Sequence, residues 1–138
     1  EGAHRFLAEN REHPVHRIFA AGKSMGGRIA SQMAAEGKLP VARLIFLGYP
    51  LHPAGQKDKL RDGHLYDIGV QMLFFAGTRD PLCDLDLLKK VLPSLKALWK
   101  LEIIEGGDHS FNVPKSAGMG AEEVFSLILE RMLGWMDA

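Results

Sequence analysis

Three residue types that together can activate a hydroxyl each stand just past an apolar run. They are Ser24 in "GKSMG" (22–26), Asp80 in "GTRDPLCD" (77–84) and His109 in "GGDHSF" (106–111). A serine hydroxyl is a weak nucleophile at neutral pH. It needs a base to take its proton, and the base needs a carboxylate to orient it. In this chain the order is Ser, acid, His. "GKSMG" satisfies G-x-S-x-G, in which glycines two before and two after the serine, here Gly22 and Gly26, let a strand and a helix cross without side-chain collision. The hydroxyl then points outward, and the amide of the next residue, Met25, faces a developing oxyanion. By composition alone the pattern arises in roughly one of 15 such sequences, so a plain turn with a capping serine is the bland alternative.

A phosphate cradle is the other reading of the same stretch. It needs G-x-x-x-x-G-K-[ST], but in "RIFAAGKS" Arg17 stands where the first glycine must be. Bulky Ile18 and Phe19 would also obstruct close backbone approach to phosphate. Asp108 rivals Asp80 as the acid, yet as the immediate neighbour of His109 it should point away from the ring. Asp84 reads as a helix cap and Asp86 as a first-turn charge.

Such side chains must be positioned by a scaffold, and the hydrophobic pattern supplies one. Residues 3–12 read as the end of a helix. Strands are expected at 16–22, 41–50, 70–80 and 99–109, and helices at 25–37, 84–93 and 121–136. The first of these helices should turn Ile29, Met33 and Ala30 or Ala34 inward and stop at Gly37. The last carries an apolar stripe of Val124, Ile128, Met132 and Trp135, with Glu122 and Glu123 at its positive end. The segment 51–69 is polar and rich in turn formers. Strand cores at Ile18–Ala21, Leu44–Leu47 and Met72–Phe75 are continuous apolar runs rather than alternating ones. That predicts a mostly parallel sheet flanked by helices, an α/β fold. In such sheets ligands bind beyond the carboxyl ends of the strands, where Ser24, Asp80 and His109 should gather.

The chain has 138 residues, enough for one domain spanning 1–138. Seventeen basic and seventeen acidic side chains cancel, which argues against a nucleic-acid or membrane-surface binder. No apolar run approaches the roughly 20 residues of a membrane span. Cys83 is the single cysteine, so no internal disulfide forms and a reducing, cytoplasmic setting is expected. None of the six histidines has metal-ligand spacing. His4, His13, His16, His52 and His64 are expected at the surface, and no metal or cofactor is expected. Cys83 reads as a small packing residue, Lys57, Lys59 and Arg61 as a solvated loop face, and Trp99 and Trp135 as sheet–helix packing.

The stretches "GKSMGGRIAS", "FLGYPLHPAGQKDKLR", "GTRDPLC" and "GGDHSF" together resemble one group within the α/β-hydrolase superfamily. It is the group that includes testis-expressed protein thirty and subunit three of the NSL complex. The likeness runs from about Ile18 to His109, with a compatible final helix after it, and "GYPLHPAG" followed by "KLR" is its most specific part. The resemblance implies Ser24 as nucleophile, Asp80 as acid, His109 as base and the Met25 amide as oxyanion donor. It also implies further strands and a second oxyanion loop ahead of the elbow strand. The chain thus looks like the C-terminal part of such a domain, lacking the N-terminal strands. Either self-association or an N-terminal segment is expected to cover the edge of strand 16–22. The implied function is a serine hydrolase acting on a small-molecule, ester-like acyl substrate. The rival is a non-catalytic scaffold, since the group includes a subunit of a chromatin-modifying complex.

Overall fold

The computed structural model of the chain describes residues 2–10 and 12–138. Four strands form one sheet: β1 (Phe19–Lys23), β2 (Arg43–Leu47), β3 (Gln71–Gly77) and β4 (Trp99–Ile104). They lie side by side in chain order, and all three pairings are parallel. The flanking helices are α1 (Gly2–Ala8), α2 (Met25–Ala35), α3 (Leu85–Val91) and α4 (Ala121–Asp137). The expected α/β class, a parallel sheet between helices, is what the chain adopts.

The continuous apolar runs arise because the central strands are covered on both faces. Leu44 and Phe46 of β2 and Met72 and Phe74 of β3 meet Ala30 and Ala34 of α2 and Leu88 and Val91 of α3. Ile45, Leu73 and Phe75 point the other way, against Val124 and Ile128 of α4, with Met132 and Trp135 partly buried beside them. The α4 stripe is therefore the predicted one. Phe46 is fully buried and packs at a tilt against Phe74, with ring centroids 4.8 Å apart; truncating such a phenylalanine to alanine typically costs about 3–5 kcal/mol.

Several expectations change. Helix α1 stops at Ala8 rather than running to residue 12, and Arg11 lies outside the described residues. Ile29 faces solvent, 49% exposed, and the inner face of α2 is Gly27, Ala30, Ser31 and Ala34. Only small residues fit there because the helix runs close against β1. Gly37 does stop this helix, at φ 71°, with Gly37 N–H donating to Ala34 O and Lys38 N–H to Met33 O. Segment 51–69 is exposed over residues 54–60, as its polar composition predicts, but both its ends fold inward. No α-helix joins β2 to β3; a short 3₁₀ turn (Gly63–Asp67) does, and Leu51, Leu65 and Ile68 fill the core beside it. Trp99 is 39% exposed at the start of edge strand β4, whereas the Arg43 guanidinium carbon lies 4.9 Å from the Trp135 ring centroid. Strand β1 forms the other edge. Among the described residues no helix is long and apolar enough to cross a membrane.

Candidate active site

Ser24 sits between β1 and α2 in a backbone conformation unusual for a side-chain-bearing residue, φ 50° and ψ −122°. Such strain persists only where surroundings over-determine it. Here Ser24 N–H donates to Leu47 O (3.0 Å), and Ser24 O accepts from Arg28 N–H (3.1 Å), the first turn of α2. The strand and helix pass so closely that a Cβ on Gly22 would lie 2.4 Å from Gly27 N, and one on Gly27 would lie 2.7 Å from Gly22 O. The crossing pair is therefore Gly22 and Gly27. This corrects the assignment of Gly26, where a Cβ would meet nothing within 4 Å. Gly26 already lies on the outer side of the helix; the G-x-S-x-G pattern points to it, but the contact belongs to the next residue. The Met25 amide heads α2, at the positive end of the helix, where backbone N–H groups lack intrahelical partners.

Asp80 follows β3 in a tight turn. Its side chain is buried, with Oδ1 accepting from Leu82 N–H at 2.8 Å and Oδ2 from His109 Nδ1–H at 2.8 Å. A carboxylate can only accept here, so Nδ1 carries the ring proton and Nε2 is left as an acceptor. Ser24 Oγ lies 2.7 Å from that Nε2 and donates its hydroxyl proton to it. The three predicted side chains thus meet in one hydrogen-bonded line at the carboxyl ends of the strands.

The loop carrying His109 is held from several directions. A Cβ on Gly77 would come 2.1 Å from Gly107 O, so the end of β3 touches the loop backbone, and Arg79 N–H donates to Gly107 O. Asp108 turns away from the imidazole, as its position in the sequence predicts. Its carboxylate accepts from Ser110 N–H, Asn112 N–H and the Asn112 amide. These bonds, led by Asn112 N–H, hold its carboxyl below the usual carboxylate range. Phe111 (φ 64°) is buried against the α4 side of the core. Lys23 Nζ donates to Ser110 Oγ at 3.2 Å, joining the neighbours of Ser24 and His109.

Other side chains depart from their expected roles. His52 is 1% exposed: its Nε2 accepts from Asp84 N–H (2.9 Å), so Nδ1–H donates to Pro53 O (2.9 Å). His64 is half-buried. Ser31 donates to Arg28 O and Tyr49 to Arg61 O, so the His64 Nε2–H serves both hydroxyl oxygens, at 2.6 and 3.2 Å. Burial first, then the Arg28 charge, lowers the His64 pKa, and burial pushes the Tyr49 phenol up to about 12. Surface assignments for these two histidines fail because segment 51–69 folds inward. Asp84 does cap α3, accepting from Asp86 and Leu87 N–H. Lys57 is paired with it at 2.5 Å rather than simply solvated. Cys83 is buried, and its thiol is pushed up to about 12, chiefly by burial. Among the described residues no group of three or more His, Cys, Asp or Glu could hold a metal ion.

Spacing alone did not reveal Gly48. It follows β2 at φ +67°, directly behind the His109 ring. Its only sequence signal is a glycine ending the apolar run in "IFLGYP".

The fold is shared with solved structures. The chain is similar to a dienelactone hydrolase from Anabaena variabilis (TM-score 0.68, 22% identity, 99% of this chain and 56% of that one). It is also similar to the esterase domain of a Rhodothermus marinus protein (TM-score 0.68, 16% identity, 96% and 64%). A third is esterase B from Lactobacillus Rhamnosis (TM-score 0.64, 14% identity, 99% and 57%). The chain thus spans between half and two-thirds of the length of these structures. Residues 3–137 match the model of a family described as alpha/beta hydrolase domain, and the chain belongs to that family.

Proposed function

We propose that the chain carries the catalytic residues of a serine hydrolase acting on an ester-like acyl substrate. The single observation that supports this most is the imidazole of His109 hydrogen-bonded at once to Ser24 and Asp80. Ser24 Oγ attacks the acyl carbonyl carbon as its proton passes to His109 Nε2. Asp80, still ionised, steadies the imidazolium through Nδ1–H. The Met25 amide donates to the oxyanion of the tetrahedral intermediate. Collapse of that intermediate breaks the ester bond, and the leaving alcohol takes the proton from Nε2. Water then repeats the sequence on the acyl-serine, releasing the acid.

The strained backbone at Ser24 favours this reading over a non-catalytic scaffold, which has no need of a serine held at φ 50°. A fluorophosphonate probe tests it. Labelling of the native sequence and none of Ser24→Ala is expected; equal labelling of both, or of neither, would sink it.

Within the family we assign the chain to the group of testis-expressed protein thirty and NSL subunit three. The burial of Tyr49, Leu51 and His52 supports this, because the distinctive "GYPLH" run is then core rather than variable surface. We further propose one domain over 1–138, a cytoplasmic setting, and no nucleic-acid or membrane partner. The end of β1, at Lys23, borders an apolar groove of 390 Å³ lined also by Leu47, Phe125, Ile128 and Leu129. There we expect a second copy or an N-terminal segment to pack.

A further inference from the structure

We infer that Gly48 is a positioning residue: the absence of a side chain there seats the His109 imidazole between its two partners. This rests on the proposed hydrolase reading, since it gives His109 the role of base.

Gly48 is held independently of the ring. It follows β2 directly, its N–H donates to Phe75 O at 3.0 Å, and the next residue, Tyr49, is buried and donates to Arg61 O at 2.7 Å. A Cβ at 48 would lie 3.0 Å from His109 O and 3.5 Å from both Cε1 and Nδ1 of the ring. Those two ring atoms include the nitrogen that donates to Asp80 and the carbon joining it to Nε2. The imidazole is thus held by Asp80 at one nitrogen and Ser24 at the other, and the space a Cβ on Gly48 would occupy lies against the ring edge between them. The ring contacts at 3.5 Å are ordinary ones, but at 3.0 Å a methyl group at 48 crowds the His109 carbonyl oxygen, and one side must give. The strand end is anchored by its bond to β3, so the loop at His109 is what gives, by a few tenths of an ångström. Hydrogen-bond geometry between a nucleophile and its base is sensitive to shifts of that size.

Gly48 also has a positive φ, so any substitution there strains the backbone. Gly55 separates the two effects. It has φ +70°, and a Cβ there would meet nothing within 4 Å. Gly55→Ala therefore carries similar backbone strain without touching the ring. Both variants should lower the melting temperature. Only Gly48→Ala should also reduce the rate of p-nitrophenyl ester hydrolysis, by about ten- to 100-fold, and weaken the downfield proton resonance of His109 Nδ1–H. Equal losses in the two variants, or an unchanged rate and resonance in Gly48→Ala, would overturn the inference.

If Gly48→Ala does not fold, the native chain still decides. Cross-relaxation between a Gly48 α-proton and His109 Hε1 is expected, and its absence overturns the seat. If the native chain shows no Ser24-dependent labelling yet keeps the downfield resonance and the cross-peak, the hydrolase reading fails while the seat itself stands.

Discussion

Ser24 Oγ and His109 Nε2 lie 2.7 Å apart although 85 residues of chain separate them. Neither residue sits in regular structure: one lies between β1 and α2, the other in the loop after β4. Their meeting depends on parallel strands delivering both loops to the same side of the sheet.

Replacing Ser24 by alanine removes the oxygen proposed to attack and leaves the elbow backbone. Hydrolysis of an activated ester should fall by on the order of 10⁶-fold, with the melting temperature changed little. Steady-state assay beside thermal denaturation checks both halves.

The two neighbouring carboxylates should separate cleanly. Asp80→Asn removes the acceptor that fixes the ring tautomer, and should lower kcat by on the order of 10⁴-fold. Asp108→Asn weakens a turn in which the carboxylate accepts from two backbone N–H groups and an amide. It should cost about 1 kcal/mol of stability, with a far smaller loss of kcat. Kinetics and urea denaturation of the pair decide which acid serves His109.

Gly26→Ala and Gly27→Ala should have opposite signs. At 26 the methyl group enters open space, and the stiffer unfolded chain should raise stability by about 0.4–1 kcal/mol. At 27 it would drive into Gly22 O and the Phe46 ring, and about 1–3 kcal/mol should be lost. Urea midpoints of the two variants test the crossing directly.

How much of this was legible beforehand differs by residue. The meeting of Ser24, Asp80 and His109 could be anticipated because each is punctuated by glycine after an apolar run, and the runs themselves announced a doubly covered sheet. Gly26 was misread because a pattern gives spacing, whereas the helical phase decides which glycine turns toward β1. His52 and His64 were misread because their segment has the composition of a surface loop. Nothing local shows that Leu51, Leu65 and Ile68 take the place of a crossover helix and draw the histidines inward. Gly48 escaped notice because its partner lies in another loop, a relationship that exists only in three dimensions.

His64 gives the fold a pH dependence. Its folded pKa lies below the ordinary 6.5, chiefly through burial. As pH drops below 6.5 the unfolded chain takes up a proton that the folded chain resists, so stability present above 6.5 should decline toward the folded value. His64→Gln, which cannot titrate, should show a flatter urea midpoint over the same interval. An unchanged slope would assign the decline to other groups.

The strands lie across the sheet in the order in which the chain is made. Each new strand can therefore dock on its predecessor as it leaves the ribosome, without threading between pieces already in place. The proposed nucleophile Ser24 follows β1 and stays unactivated until the stretch after β4 delivers the His109 imidazole. On the proposed mechanism, a nascent chain halted anywhere before that stretch would display the serine with no base to deprotonate it, so full reactivity waits for the loop after β4.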